Sequence, residues 1–524
     1  MKSAAQIAFF LIVLAIGLVV YKDYGISFDE GSQRNTGVVS LKHVVERFAP
    51  SLLPSSARSV QSLNEYRDGD YGVVFELPAV ALEVVLRIDD KKDVFLFRHL
   101  LTFLVALGGV YAVHTMARRR FADWRLGLLA ALFLILTPRL FAESFYNSKD
   151  IVFMAVFAIA MNTTISFILK PGVGTALLHA LATAVAIDVR LMAVILPVAT
   201  VAISVVRLLK REVPAGRTSG ALTIYLAASC LLVPAMWPWL WSDPIGNFVQ
   251  AFTNMAKFRW EREVLYMGRF IPSTELPWHY ILVWISITTP LLYLALFVVG
   301  VLATLRRIMS RGIQLWKSDE ELQDVVFLGL FAAPIAAVIL LQSVLYDGWR
   351  QMYFVYPAAL LLALHGWVTL WSGTSVPKIR RSLLGMVTAV SLLHTAAWMW
   401  QAHPFQNVYF NVLAGKNLRT RYELDYWGLA NRKALEYLVA NDQSDVINVR
   451  ADSFTALDMA FTMIDARDRQ RLRYSDDRSL PQYVFTNYRL VKDPDDSKYA
   501  RDYDLFYQIR VDGEVILSVY RHRV

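Results

Sequence analysis

A multi-pass α-helical membrane protein with a small α/β domain at its C-terminal end is the fold class that this sequence predicts. Three observations predict it. Hydrophobic residues make up 56% of the 524 and charged residues only 19%, a balance foreign to a large soluble enzyme. Eleven apolar stretches recur before His403, most of them near the length needed to cross a hydrocarbon core about 30 Å thick. From His403 onward the pattern changes to short alternating runs separated by turn residues, the signature of a folded aqueous domain.

The spans fall near Ala4 to Val20, Val94 to Met116, Trp124 to Thr137, Ile151 to Leu169, Thr175 to Ile187, Leu191 to Val206, Leu222 to Trp237, Tyr280 to Ala303, Val325 to Gln342, Met352 to Trp371 and Leu383 to Gln401. The first reads as a retained anchor, because Tyr21-Lys22-Asp23-Tyr24 offers no small-residue cleavage site. Residues 22–93 form a first outer loop. Within it Val73 to Ile88 is apolar but carries Glu76, Pro78 and Glu83, and central acids cost about 2.5 to 3.5 kcal/mol each on insertion. The expectation there is an interfacial helix.

The formal charge is +9, which in a soluble protein would suggest a nucleic-acid partner. Here the excess sits in short loops between spans: Arg118 to Arg120, Arg207 to Arg217, Arg306 to Lys317 and Lys378 to Arg381. That bias faces the cytoplasm and discounts nucleic acid. With an odd number of spans, the first loop, the loop before Ile151, the segment Leu240 to Trp278, the segment around Tyr346 and the C-terminal tail then face outward.

The tail should hold a helix through Tyr426 to Ala440, strands at Val446 to Val449 and Gln482 to Tyr488, and a hairpin of Phe506 to Arg510 with Val515 to Tyr520 around Asp512-Gly513. One cysteine, Cys230, lies inside a span, so no intrachain disulfide staples this domain. Neither a Gly-rich phosphate loop nor a Cys/His cluster of metal-binding type is present.

The outward loops carry the candidate chemistry. Asp29 and Glu30 follow the first span, and adjacent carboxylates at a membrane boundary suit general-base work. The same pair would also favour the N-terminus of a following helix. Arg139, Glu143, Asn147, Lys149 and Asp150 lie in the second loop, which ends at the N-terminus of the fourth span, where free N–H groups and a lysine would welcome a phosphate. Asn147 or Ser148 could equally cap that helix, with Asp150 complementing its dipole. Tyr346, Asp347 and Arg350 form a third group, with an arginine able to grip phosphate or to snorkel at the interface. Asp188 and Arg190 either pair with each other or line a polar cavity. The aromatic run Trp237 to Trp241, with Trp278, His279 and Tyr280, reads as an interfacial belt.

In their order along the chain these motifs carry a resemblance. Asp29-Glu30, Phe75-Glu76-Leu77-Pro78, Thr137-Pro138-Arg139, Phe145 to Asp150, Trp237-Pro238-Trp239, Leu276 to Tyr280 and Tyr346 to Arg350 resemble the GT-C fold glycosyltransferases. Within them the chain is similar to the protein mannosyltransferase and aminoarabinose transferase branch, glycosyltransferase family 39. His403-Pro404-Phe405-Gln406 and Tyr422 to Gly428 look like bacterial members.

The resemblance implies a catalytic membrane domain over 1–402 and an extracytoplasmic α/β domain over 403–524. It implies an inner-membrane enzyme that moves a sugar, with inversion, from a polyprenyl-phosphate carrier to a glycolipid, polysaccharide or protein on the outer face. A cytoplasmic-face enzyme that makes the lipid-linked sugar, and a flippase, would act upstream. The base role carries onto Asp29, with Glu30 beside it. Lys149, Arg350 and Arg139 would hold the donor phosphate. Glu143, Asn147, Asp150, Tyr346, Asp347 and His403 are the remaining candidate substrate or metal contacts.

One departure is Glu76-Leu77-Pro78-Ala79, where many aminoarabinose-type members have Glu-Lys-Pro-Pro. The lysine expected on the lipid phosphate is missing, so Lys149 or Arg350 would serve. A divalent ion on Asp29, Glu143 or Asp150 is an alternative source of charge stabilisation, and carboxylates without histidine suit a hard ion. The rival readings are a lipid or sugar flippase and a non-catalytic envelope scaffold.

Overall fold

The computed structural model describes residues 2–256, 260–372, 377–475, 481–492 and 496–523. Among them nine helices are long and apolar enough to cross a membrane. A tenth span is a bent pair, Trp124–Ile135 and Pro138–Tyr146, meeting at 72°. The eleventh apolar stretch is the shorter helix Val173–Val189. Each predicted span therefore has a helix, but four differ in form, among them Leu191 to Val206, which begins as the 3-10 turn Leu191–Val194 before the helix Ile195–Leu209. Tyr280 to Ala303 is two helices, Tyr280–Thr288 and Leu291–Arg311, because Pro290 lacks the N–H that would continue the ladder. Trp124 to Thr137 ends at Ile135 for the same reason at Pro138. Met352 to Trp371 begins as a 3-10 turn, Arg350–Val355, before the helix Tyr356–Trp371.

Helix starts follow their caps. Asp90 accepts from the Lys92 N–H, Asp123 from Arg125 and Ser318 from Glu321, each satisfying a donor that the first turn leaves open. The centre of the bundle is the helix Asp150–Leu169, whose span is 83% buried. Leu291–Arg311 and Tyr356–Trp371 approach closest at Gly300 and Gly366, where a Cβ would overlap the Leu362 and Leu296 carbonyls respectively. Small residues permit that approach in a bundle held by packing alone.

Contacts gather three of the four basic loops together. Arg120 and Arg307 both bind Asp324, at 2.6 and 2.9 Å, while Arg207 pairs with Asp319 and Lys210 donates to the Trp316 carbonyl. The segment Val73 to Ile88 contains the helix Glu76–Val85. Its acids are not solvated but buried: Arg98 bonds both Glu76 and Glu83, and Arg34 binds Glu83 at 2.8 Å. Ion pairing at a helix end lets acids sit where hydropathy alone would refuse them.

A two-stranded hairpin, β1 (Glu263–Tyr266) and β2 (Arg269–Pro272), stands in the segment before Tyr280. The C-terminal domain packs the helix Ala430–Asn441 on a five-stranded sheet of β3 (Ile447–Ala451), β4 (Leu472–Tyr474), β5 (Tyr483–Thr486), β6 (Tyr503–Val511) and β7 (Glu514–His522). The strand order is β4-β3-β5-β7-β6, parallel from β4 to β5 and antiparallel thereafter. The β6–β7 hairpin turns at Asp512 and Gly513 with φ of 52° and 82°, the left-handed pair that Asp-Gly supplies for a tight turn. β4 had no legible signal in the sequence, being three residues long.

The segment His403 to Gly428 ties this domain to the bundle. The Asp425 carboxylate accepts from the Leu429 and Ala430 N–H groups, and Arg432 donates to the Tyr24 carbonyl at 2.7 Å.

Candidate functional site

Asp29 ends the loop after the first helix and precedes the helix Glu30–Phe48. Asp150 opens the helix Asp150–Leu169, and Arg350 opens the 3-10 turn before Tyr356. Three elements distant in sequence meet here: Arg350 Nη1 donates to Asp29 Oδ2 at 3.0 Å and to Asp150 Oδ2 at 2.9 Å. The other oxygen of Asp150 pairs with Arg190. Arg190 therefore does not pair with Asp188, which instead accepts the Val74 N–H at 2.6 Å. The Lys149 ammonium lies 3.2 Å from the centre of the Tyr71 ring and makes no ion pair among the described residues. Burial pushes Lys149 down to about 7, helped by the Arg190 cation.

Three cations, Lys149, Arg190 and Arg350, thus meet the Asp29 and Asp150 carboxylates, with a third carboxylate, Asp347, 3.4 Å from Arg350 Nη2. Two cavities open onto it. One, about 320 Å³, is polar and aromatic, walled by Phe28, Arg67, Trp260, Trp427, Phe454 and Arg489. The other, about 340 Å³, is an apolar groove between Ile195, Val198, Phe252, Pro334, Val338 and Leu341. Val198, Phe252 and Leu341 are 66%, 50% and 71% exposed, so the groove opens on the outer surface of the bundle. Asp29, Tyr71, Lys149, Tyr346 and Arg350 line both cavities. The Asp29 side chain keeps 30% of its surface free while that of Arg350 keeps 2%.

Asp347 lines the polar chamber. Burial raises its carboxyl above the usual range, against the pull of Arg489 and then Arg350. Arg350 itself lies over the rings of Tyr346 and Trp427, at 4.8 and 4.6 Å.

The remaining sequence candidates lie outside these cavities. Glu30 is 2% exposed, accepting the Ser27 N–H at 2.6 Å and facing His99 Nε2 at 3.0 Å. Arg139 donates to the Tyr409 carbonyl and stacks on Phe410. Glu143 accepts from Tyr353 and Tyr426. Asn147 bridges Glu143 to Asp150 and accepts the Asp150 N–H at 2.8 Å, satisfying the first donor of the buried helix from three residues before it, while the N-cap position itself is Lys149. His403 faces Asp23 at 2.9 Å.

No group of three or more His, Cys, Asp or Glu able to hold a metal ion occurs among the described residues. Between Asp29 and Asp150 the guanidinium of Arg350 takes the place an ion would need, and Glu143 is already hydrogen-bonded. These residues do not fit a metal.

Sequence reasoning missed Arg489, Arg67, Tyr71 and Trp260. None stands beside a recognisable motif, and the C-terminal domain is rich enough in arginine that no spacing singles one out.

No family model matches this chain, and no curated protein matches it. Among solved structures it is similar to ArnT from Cupriavidus metallidurans bound to undecaprenyl phosphate. That likeness has 12% identity and a TM-score of 0.47, covering 99% of this chain and 98% of that one. It is also similar to the apo oligosaccharyltransferase of Archaeoglobus fulgidus, at 10% identity and a TM-score of 0.49, covering 88% and 64%. The archaeal oligosaccharyltransferase AglB from the same organism, in complex with an inhibitory peptide and a dolichol-phosphate, gives 11% and 0.47, covering 91% and 69%.

Proposed function

We propose that this chain is a membrane glycosyltransferase that moves a sugar from a polyprenyl-phosphate carrier to an acceptor. The observation that carries the reading is the meeting of an apolar groove and a polar chamber at one charged junction. A polyprenyl tail suits the groove, its phosphate the three cations and its sugar the chamber mouth. The motif resemblance points the same way.

Asp29 then acts as base. It takes the proton of the acceptor hydroxyl or amine as that atom attacks the anomeric carbon, and the bond from that carbon to the phosphate oxygen breaks. Charge develops on the departing phosphate, where Lys149, Arg190 and Arg350 are already in place. Donors fixed before the reaction stabilise such charge without reorganisation. The direct pairing of Asp29 with Arg350 at the junction shared by the groove and the chamber supports this reading, with base and clamp side by side. By this reading the junction faces outward, opposite the basic loops, in a cytoplasmic membrane.

The test is transfer by purified protein in nanodiscs from a defined polyprenyl-phosphate sugar to envelope glycolipids, with products identified by mass spectrometry. A sugar-bearing acceptor and free polyprenyl phosphate are expected. Movement of the lipid across the bilayer with no cleavage would favour a flippase and overturn the reading.

A further inference from the structure

The C-terminal domain reaches the junction through one side chain. Arg489 follows β5 on a turn whose neighbours Tyr488 and Leu490 have φ of 63° and 59°, a region that non-glycine residues occupy at a cost. The turn is built to hold it. Asn487 Oδ1 accepts the Arg489 N–H at 3.3 Å, Asn487 Nδ2 donates to the Asp425 carbonyl at 2.9 Å, and the Phe454 N–H donates to the Arg489 carbonyl at 3.2 Å. The guanidinium lies over the Phe454 ring at 4.9 Å and is 3% exposed. Its Nη1 donates to the Tyr426 carbonyl at 2.9 Å and its Nη2 to Asp347 Oδ1 at 2.6 Å.

Asp347 has two suitors. Its other oxygen stands 3.4 Å from Arg350 Nη2, a longer and weaker contact than the one to Arg489. Asp347 has a left-handed backbone, with φ of 55°, and Arg489 is flanked by two residues that do, so each member of the short pair is held by backbone that the surrounding structure must impose. A buried carboxylate needs a cation. Without Arg489 the nearest alternative is Arg350, and a carboxylate drawn onto Arg350 would compete with any phosphate for the same donors.

We infer that Arg489 is a positioning residue, which holds Asp347 off Arg350 so that the Arg350 guanidinium stays available to the lipid phosphate. This rests on the reading given above, in which Arg350 belongs to the phosphate clamp. It assigns the C-terminal domain a part in donor binding, exerted through an ion pair between two loops 142 residues apart.

The experiment measures binding of undecaprenyl phosphate to the full-length protein in nanodiscs, by native mass spectrometry, with melting temperature recorded alongside. Wild type is expected to bind; if it does not, the donor-binding reading falls and takes this inference with it. Given wild-type binding, Arg489→Gln should weaken it about tenfold, the scale of one charge-assisted hydrogen bond surrendered to a competitor. Asp347→Asn in the Arg489→Gln background should restore binding to within about threefold of wild type, because the competitor is gone. A purely structural role for Arg489 predicts no such rescue. Binding by Arg489→Gln within about threefold of wild type, or a double variant as weak as the single, overturns the inference. Should Arg489→Gln not fold, Asp347→Asn alone decides. It should bind about two- to threefold more tightly, and weaker binding overturns the proposal.

Discussion

Lys149→Gln isolates the one cation at the junction that has no carboxylate partner among the described residues. Its ammonium rests on the Tyr71 ring at 3.2 Å, and burial pushes it from 10.5 down to about 7. At about 1.36 kcal/mol per pH unit, charging it in place costs on the order of 5 kcal/mol more than charging it in water. The unfolded chain therefore binds more protons than the folded one between about pH 7 and 10.5. The burden on the ligand-free protein is full below about pH 7 and is relieved as pH rises through that window. Lys149→Gln should melt higher than wild type at about pH 6, with the gap closing toward about pH 9.

Phosphate reverses the sign. A charge-assisted contact of about 1.5 to 3 kcal/mol makes wild type bind undecaprenyl phosphate roughly 10- to 100-fold more tightly than Lys149→Gln at about pH 6. That advantage should shrink above about pH 7, where binding must recruit a proton. Comparing the two proteins at each pH cancels the titration of the phosphate itself. Melting of both in detergent, with and without the lipid across about pH 6 to 9, reads both effects. An affinity ratio below about threefold at the acid end, or a ratio that does not change up to the alkaline end, would refute the reasoning.

Asp29→Asn should lose about 10² to 10⁴ in single-turnover transfer while keeping undecaprenyl phosphate binding and melting temperature; retained turnover would remove Asp29 as the base. Glu30→Gln should instead lower the melting temperature, because Glu30 is buried against the Ser27 N–H and His99, and an equal loss of turnover in a normally stable variant would return Glu30 to the chemistry. Val338→Trp should fill the apolar groove and weaken a polyprenyl phosphate while sparing a short-chain phosphate analogue; equal weakening of both would place the tail elsewhere. Reporter fusions after Arg120 should be active in the cytoplasm and fusions after Arg523 outside it. The reverse pattern would overturn the orientation.

Local chemistry accounts for what was legible in the sequence. Hydropathy is a property of consecutive residues, and backbone groups in lipid must be satisfied within the helix. The eleven apolar stretches therefore mark their own positions, even where a proline breaks one into two. The Asp-Gly turn between β6 and β7 carries its conformation in two residues. Asp29, Lys149, Asp150 and Arg350 stood out for a related reason: each is an ionisable group at the end of an apolar run, where water or a partner must meet it.

Only the tertiary structure decided what those groups do to one another. Glu30 and Asp29 are adjacent in sequence, yet one is sealed against His99 and the other is open to the chamber, a difference set by the direction of a single helix start. Arg350 and Asp29 are 321 residues apart and Arg489 and Asp347 are 142 apart. Arg190 pairs with Asp150 rather than with its near neighbour Asp188 because the turn after Val189 aims it across the bundle. Charge pairing in a low-dielectric interior depends on distances of a few ångströms. Sequence spacing fixes those distances only within one helix or one turn, whereas the junction draws on separate segments that only the packed bundle brings together.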